Sequence, residues 1–198
     1  MSDPFNVLMV GVGGQGIVLA SDILAEAAAL AGHDVKKSEI HGMSRRGGPV
    51  FSHVRFGEQV HSPVIAQGEA HVVLALEPME LLRWAPWAAP DAAACYLATP
   101  ILPVGVDEYP DDLHDEIARL FGRVVRVELA AIRRSVPMKV RNTALLGAAS
   151  VFVPLDAEYF AEALQTLSPR GSYEANQAAF DTGRALAARQ LEEVSHVE

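Results

Sequence analysis

Cysteine is nearly absent from this chain, and its scarcity limits the redox and metal chemistry that is open to it. Cys95 is the single cysteine, so an internal disulfide and a CxxC pair for structural zinc are both excluded. An iron–sulfur cluster needs several thiolate ligands, which this chain cannot supply. The seven histidines include no HxxH, HxxxH or HExxH spacing. We therefore expect no metal and no cluster to be bound by this chain alone.

Positive charge and long apolar runs are also scarce. The sequence has 16 Lys and Arg against 25 Asp and Glu, a net charge of −9 that repels polyphosphate and disfavours a general nucleic-acid binder. No basic residue precedes Lys36, so the positively charged start of a signal peptide is missing. The apolar stretch 92–106 is interrupted by Pro100 and Pro103 and falls short of the roughly 20 residues that a spanning helix needs. We expect a cytoplasmic protein that contacts neither nucleic acid nor membrane.

Strand-like and helix-like segments alternate along the 198 residues, a length that suits a single domain, 1–198. Short apolar runs predict strands over 5–10, 34–40, 50–56, 60–66, 70–76, 93–98 and 124–129. Apolar residues at helical spacing predict helices over 15–32, 78–84, 111–121, 141–152, 156–167 and 172–194. The short connection 57–59 predicts a β-hairpin between 50–56 and 60–66. This order is typical of an α/β fold: a Rossmann-like, doubly wound, mainly parallel sheet with a β-hairpin insertion and C-terminal helices.

The first strand ends in a glycine-rich turn that satisfies the pattern GxGxxG. The turn consists of Gly11, Val12, Gly13, Gly14, Gln15 and Gly16. Without Cβ atoms, backbone N–H groups and the positive end of the following helix can approach an anion closely. Glu39 follows near the end of the second predicted strand, where a carboxylate that binds ribose would stand, so an NAD-binding fold is one interpretation. The other is that the glycines only permit a tight strand-to-helix turn.

A second segment, 38–49, combines glycines with two adjacent arginines. Its central residues are Ser44, Arg45, Arg46, Gly47 and Gly48. Such a cationic loop, rich in hydrogen-bond donors, suits a carboxylate, a phosphate or an acidic partner surface. An exposed loop with merely solvated arginines is the alternative.

Several segments together resemble one protein family. They are GVGGQGIVLAS at 11–21, EIHGMSRRGGPVFSHVRFG at 39–57, VVLALEPMELLR ending at Arg83, LLGA at 145–148 after Asn142, and 176–183. In this order they resemble the gamma-type subunit of 2-oxoacid:ferredoxin oxidoreductases, in particular the small, beta-named subunit of the indolepyruvate enzymes. The resemblance covers almost the whole chain, and the agreement of separate segments makes it more specific than a single glycine turn.

The resemblance implies an enzyme subunit that is inactive alone. In this family thiamine diphosphate and magnesium serve to decarboxylate a 2-oxoacid, 4Fe–4S clusters pass electrons to ferredoxin, and coenzyme A accepts the acyl group. The thiamine site and the clusters belong to a larger catalytic subunit, which is the expected partner, with ferredoxin reached through the complex. This chain has no GDG motif followed by an asparagine pair, the usual holder of magnesium and diphosphate. An aryl pyruvate such as indolepyruvate is the expected substrate, and a homodimer of the isolated chain stays open.

The resemblance also implies site residues. Those that match the two glycine-rich motifs, expected to line a shared cleft or to receive the coenzyme A phosphates, are Gly11, Gly13, Gly14, Gln15, Gly16, Ser44, Arg45, Arg46, Gly47 and Gly48. No proton-transfer role, and so no catalytic residue, is assigned to this chain. Glu77 and Asn142 also match the family, with a helix cap or an interface hydrogen bond as their alternative roles.

Two functions of other classes stay open from the residues alone. They are a stand-alone NAD(P)-binding oxidoreductase and a non-catalytic nucleotide-binding or assembly module. An adenylate-forming enzyme also opens with a GxGGxG turn, but the single cysteine argues against it. We interpret Cys95 as a small buried hydrophobe. Trp84 and Trp87 either pack at the edge of the core or anchor a partner.

Overall fold

The computed structural model describes residues 3–41, 48–102, 108–132 and 136–195. The strands within them are β1 Phe5–Val12, β2 Asp34–His41, β3 Pro49–Gly57, β4 Ala70–Ala75, β5 Ala88–Leu97 and β6 Arg123–Val127. The α-helices are α1 Ile17–Leu30, α2 Pro78–Trp84, α3 Leu113–Leu120, α4 Leu129–Ile132, α5 Arg141–Ala149, α6 Ala157–Leu167 and α7 Tyr173–Ser195. None of these helices is long and apolar enough to cross a membrane.

The strands form one six-stranded sheet in the order β2-β3-β1-β4-β5-β6. Strands β1, β4, β5 and β6 are parallel, with Val7 opposite Val72 at the β1–β4 step. Strand β3 runs antiparallel to β1 and β2 runs antiparallel to β3. Residues 6–11 of β1 are buried because helices or loops cover both faces of the sheet at its centre. The mainly parallel sheet predicted from the sequence is confirmed.

Helices cover both faces of this sheet, as a doubly wound fold requires. Apolar side chains of α1, α5, α6 and α7 pack on one face, and those of α2 and α3 pack on the other. The chain therefore leaves β1 toward one face and leaves β4 toward the opposite face. Ligands of open α/β sheets bind at such a switch point, outside the carboxyl ends of the strands. The fold directs attention to the crevice between β1 and β4.

Helices α5 and α7 cross at very short range through two glycines. A Cβ at Gly183 would lie 1.8 Å from the Ala144 carbonyl oxygen, and one at Gly147 would lie 2.0 Å from the Phe180 carbonyl oxygen. The buried Thr143 Oγ1 donates to Asn176 Oδ1 at 2.7 Å in the same contact. The close approach fixes the C-terminal helices as one layer against the sheet.

The predicted hairpin between 50–56 and 60–66 is wrong. Segment 60–66 is irregular, and β3 pairs on its two edges with β2 and β1, so no edge is left for another strand. Side chains hold this segment in place: His53 Nδ1 accepts from the Ile65 N–H at 3.1 Å, and Arg55 Nη1 donates to the Val64 carbonyl at 2.8 Å. The antiparallel pair is instead β2 with β3, which the chain inserts between the parallel strands β1 and β4.

Candidate functional site

The glycine turn lies at the carboxyl end of β1 and leads directly into α1. Gly14 and Gly16 have φ angles of 94° and 88°, in the left-handed region that side chains disfavour. A Cβ at Gly16 would lie 2.6 Å from Asn142 Nδ2, whereas nothing lies within 4 Å of a Cβ at Gly14. The turn is therefore packed against protein at Gly16 and open at the exposed Gly14.

Gln15 bridges the two strands that flank the switch point. Its side-chain Oε1 accepts from the Val12 N–H at 2.6 Å, and its Nε2 donates to the Leu76 carbonyl at 2.8 Å. The residue is only 8% exposed, so both ends of its amide are committed to main chain in a largely dry environment. Sequence reasoning placed Gln15 among residues that bind a cofactor, and the geometry adds that it fixes the turn against the end of β4.

Asn142 connects the turn to the C-terminal helices. Its Nδ2 donates to the Gly16 carbonyl at 3.0 Å, across 126 positions of the chain. Asn142 is buried at the start of α5, so the layer formed by α5 and α7 also positions the start of α1. The role that the structure shows for Asn142 is thus a hydrogen bond within this chain, between α5 and the glycine turn.

The second glycine-rich motif meets the first at its last residue. The Gly13 N–H donates to the Gly48 carbonyl at 2.9 Å, which brings Gly48 to the glycine turn. The other predicted site residues of this motif, Ser44, Arg45, Arg46 and Gly47, lie outside the residues that the structure describes. Proximity of the two motifs is therefore established at Gly13 and Gly48.

Glu77 follows β4 and is 2% exposed. Its Oε2 accepts from the Glu80 N–H at 2.9 Å, which confirms the helix cap as a role of this carboxylate. Its Oε1 accepts from the Ile101 N–H at 3.4 Å and from the Tyr109 hydroxyl. One carboxylate therefore ties the start of α2 to the chain that follows β5.

Tyr109 is a site residue that sequence reasoning missed. Its hydroxyl donates to Glu77 and accepts from the Met79 N–H at 3.2 Å. Burial, together with the neighbouring Glu77 carboxylate, raises the pKa of Tyr109, so the phenol stays protonated and remains a donor. A tyrosine flanked by Pro110 and acidic residues at 107–112 carries no local pattern that could have placed it beside β4.

The position of Glu39 contradicts its expected role beside the glycine turn. Strand β3 lies between β1 and the edge strand β2 that carries Glu39, a separation of about 10 Å across two strand spacings. The carboxylate instead forms an ion pair with Lys37 at 3.0 Å. Because a dinucleotide site of the usual kind needs this acid on the strand next to β1, the arrangement does not support NAD binding.

The remaining candidates are Cys95, Trp84 and Trp87, and all three contribute to the packing of the core. Cys95 is fully buried in β5, and burial raises the pKa of its thiol, which confirms it as a small hydrophobe. The Trp84 and Trp87 rings are 4.6 Å apart and Phe51 lies 4.2 Å from Trp84, measured between ring centroids. All three are half-buried and pack at the edge of the core between the sheet and α2.

The arrangement around the glycine turn suits the binding of an anion. Gln15, Asn142 and Glu77 form hydrogen bonds to main-chain groups, and Glu77 also accepts from the Tyr109 hydroxyl. Helix α1 is 14 residues long, and its first N–H groups and dipole favour an anion beside the open turn. Among the described residues, no group of three or more His, Cys, Asp or Glu side chains could hold a metal ion.

Comparison with known families assigns the chain to one class. The family described as pyruvate ferredoxin/flavodoxin oxidoreductase matches residues 6–186. This range includes the whole sheet except Phe5, together with the glycine turn, Gly48, Glu77 and Asn142. The chain belongs to this family, whose members are oxidoreductase subunits.

Individual relatives agree with this assignment. The chain is 33% identical over 199 residues to the indolepyruvate oxidoreductase subunit IorB of Pyrococcus horikoshii, covering 94% of this chain and 98% of that protein. Its fold is similar to the gamma subunit of a keto/oxoacid ferredoxin oxidoreductase from Geobacter sulfurreducens, with a TM-score of 0.69, 22% identity and coverage of 93% and 99%. It is also similar to part of the 2-oxoglutarate:ferredoxin oxidoreductase of Magnetococcus marinus, with a TM-score of 0.70 and 22% identity, covering 96% of this chain and 32% of that one.

Proposed function

We propose that this chain is the small subunit of a thiamine-diphosphate-dependent 2-oxoacid:ferredoxin oxidoreductase that acts on an aryl pyruvate such as indolepyruvate. The observation that carries the proposal is the end-to-end correspondence with an indolepyruvate oxidoreductase subunit, which covers 94% of this chain and 98% of the relative. The chain works in the cytoplasm as one domain, 1–198, in complex with a larger catalytic subunit.

The donor set of this chain does not fit an iron–sulfur cluster or a magnesium–diphosphate site. Cys95 is its single cysteine and is fully buried, and the described residues contain no cluster of metal-ligating side chains. The proposal therefore assigns thiamine diphosphate, magnesium and the 4Fe–4S clusters to the larger subunit. Thiamine diphosphate supplies a stabilised carbanion for decarboxylation where it is bound. The small subunit contributes binding surface to the shared cleft.

The glycine turn is the part of this chain that we assign to coenzyme A or to the partner surface. Gly14 is exposed and has open space above it, so backbone N–H groups can meet a phosphate without a side chain in the way. Gly48 joins the second motif to this turn. Arg45 and Arg46, which belong to that motif, would then supply charge-assisted hydrogen bonds to the same phosphates.

Co-purification under anaerobic conditions tests the assignment. The tagged chain is expected to capture a large, brown, cluster-bearing partner, and the complex is expected to reduce viologen with indolepyruvate and coenzyme A. The isolated chain should be colourless and inactive. Saturable NAD(H) binding by the isolated chain that Gly13→Val abolishes, without any captured partner, would contradict the proposal.

Paired arginine variants test the site itself. Arg45→Ala with Arg46→Ala should raise the coenzyme A KM of the assembled complex by about tenfold or more, because each lost charged contact is worth roughly 1.5–3 kcal/mol. Arg119→Ala with Arg170→Ala is the matched control, since both are exposed arginines remote from the glycine turn in sequence. Unchanged turnover at every coenzyme A concentration would remove these arginines from the site.

A further inference from the structure

A polar pocket lies at the end of the sheet opposite the glycine turn. It has a volume of about 250 Å³, and its lining includes Asp3, Asn6, Arg55, Glu69 and His71. These residues lie at or near the amino ends of β1 and β4 and the carboxyl end of β3. Because β1 rises about 3.3 Å per residue, the pocket is roughly 20 Å from the glycine turn. The volume is below that of pockets for drug-sized ligands, so its occupant is small.

Asn6 organises the walls of this pocket. The Arg55 Nε donates to Asn6 Oδ1 at 2.8 Å, the Asn6 main-chain N–H donates to His71 Nδ1 at 3.0 Å, and Asn6 Nδ2 donates to the Glu69 carbonyl at 2.9 Å. Asn6 is 4% exposed. One buried side chain and its own N–H therefore fix an arginine, a histidine and the backbone of an acidic residue around the same space.

Some hydrogen-bond donors of this network stabilise the fold, and others have no acceptor among the described residues. Arg55 Nη1 donates to the carbonyls of Ser62 and Val64, which holds segment 60–66 to the sheet. Arg55 Nη2 lies 3.9 Å from Glu69 Oε2, beyond hydrogen-bond distance, and the part of the chain that the structure describes offers it no closer acceptor. Because His71 Nδ1 is an acceptor, the neutral ring carries its proton on Nε2, for which the described residues provide no acceptor. Two donors thus remain available to an occupant of the pocket.

The charges around the pocket select a particular ligand chemistry. The pocket is lined by Arg55, whose side chain is 14% exposed, and by the acidic residues Asp3 and Glu69. A simple anion would meet two carboxylates, and a simple cation would meet the guanidinium. We propose that this pocket binds a small zwitterion of the α-amino acid type. Its carboxylate is received by Arg55 Nη2 and His71 Nε2, and its ammonium group is received by Asp3 and Glu69.

Nuclear magnetic resonance titration of the full chain tests this proposal with L-alanine, L-leucine and L-phenylalanine as probes. Propionate carries only the carboxylate and ethylamine only the ammonium group, so they separate the two halves of recognition. We expect saturable shifts at Asn6, Glu69 and His71, with at least about tenfold tighter binding of an amino acid than of either single-charge analogue. Absence of saturable shifts with all three amino acids up to about 50 mM, or equal affinity for propionate, would overturn it.

A charge-neutralising variant separates binding from folding. Glu69→Gln removes one ammonium acceptor, and the Glu69 side chain is 50% exposed, so the fold should tolerate the change. We expect amino-acid affinity to fall about tenfold in Glu69→Gln and to stay unchanged in Glu58→Gln, which removes the same charge from an exposed position outside the pocket lining. Equal affinity in both variants would overturn the assignment. The titration uses this chain without the catalytic partner, so either result leaves the proposed enzyme function untested and intact.

Discussion

Gly147 and Gly183 lie where α5 crosses α7, whereas Gly14 and Gly16 lie in the turn between β1 and α1. In the helix pair, added Cβ atoms would collide with backbone oxygens at 2.0 and 1.8 Å. In the turn, the backbone has positive φ, and the nearest atoms to a Cβ at Gly16 belong to the side chain of Asn142. Backbone cannot move aside without moving a helix, but a side chain can change rotamer.

The difference indicates which part of the molecule can accommodate an added side-chain atom and which cannot. The helix pair is fixed by steric exclusion along its crossing. The turn is held by side-chain hydrogen bonds of Gln15 and Asn142 and by the Gly13 N–H, which donates to the Gly48 carbonyl, and it stays open at Gly14. An exposed turn on a rigid support suits a surface for a ligand or partner.

The largest effect is expected from Gly183→Ala. The added methyl group meets the Ala144 carbonyl at 1.8 Å, so α5 and α7 must separate along their contact. We expect the free energy of unfolding to fall by at least about 3 kcal/mol, more than the roughly 1 kcal/mol that alanine gains in helix propensity. Urea denaturation measures the change.

The matched control for this substitution is Gly122→Ala. Gly122 is exposed, has no positive φ and has nothing within 4 Å of a Cβ. We expect a change of less than about 1 kcal/mol, on the stabilising side. Similar losses at both positions would contradict the steric account of the helix pair.

A smaller effect is expected from Gly16→Ala. The left-handed φ costs an L residue about 1–2 kcal/mol, and Asn142 must move away from a Cβ that would lie 2.6 Å from its Nδ2. We expect a loss of about 2–3 kcal/mol. Asn142→Ala removes the clash, so the double variant should lose less than the two single variants combined. Strict additivity would show that Asn142 is not the obstacle.

Gln15→Glu is expected to cost somewhat less. The substitution removes the Nε2 donor, which makes a 2.8 Å hydrogen bond to the Leu76 carbonyl. A carboxylate oxygen would face that carbonyl oxygen in its place. We expect a loss of about 1–2 kcal/mol at neutral pH. Gln59→Glu makes the same change at an exposed position and should be nearly neutral. Equal stability of the two variants would show that Gln15 does not hold the turn to β4.

The smallest effect on stability is expected from Gly14→Ala. Open space above Gly14 removes the steric cost, so only the φ of 94° opposes alanine, by about 1 kcal/mol. Its effect on the assembled enzyme should be larger than its effect on folding, because the added methyl group lies on the exposed side of the turn. A coenzyme A KM and a partner affinity that are both identical to those of the parent chain would contradict the role proposed for this turn.

Much of the fold could be predicted from local pattern. The buried runs that became β1 and β4, and the glycine turn between β1 and α1, depend on residues that are close in sequence. The strand predicted over 60–66 is wrong because its structure depends on residues that are distant in sequence. Both edges of β3 are paired with other strands, and the side chains of His53 and Arg55 bind segment 60–66 instead.

The motifs of the candidate site could be predicted from the sequence, but the long-range hydrogen bonds that hold them could not. The glycines of 11–16 and the cap at Glu77 have local signatures. The bond from Asn142 to Gly16 spans 126 positions, and the bond from Tyr109 to Glu77 spans 32, so no local pattern encodes them. Glu39 stood at the right sequence distance for a ribose-binding acid, but the insertion of β3 beside β1 moved it away.

Hydrogen exchange of the chain, alone and in complex with the catalytic subunit, tests the central claim most directly. The account predicts that amides of 11–18 exchange more slowly in the complex, because the glycine turn faces the shared cleft. Amides near Asn6 and His71, at the other end of the sheet, should exchange at the same rate in both samples. Protection confined to that opposite end, with unchanged exchange at 11–18, would contradict the account.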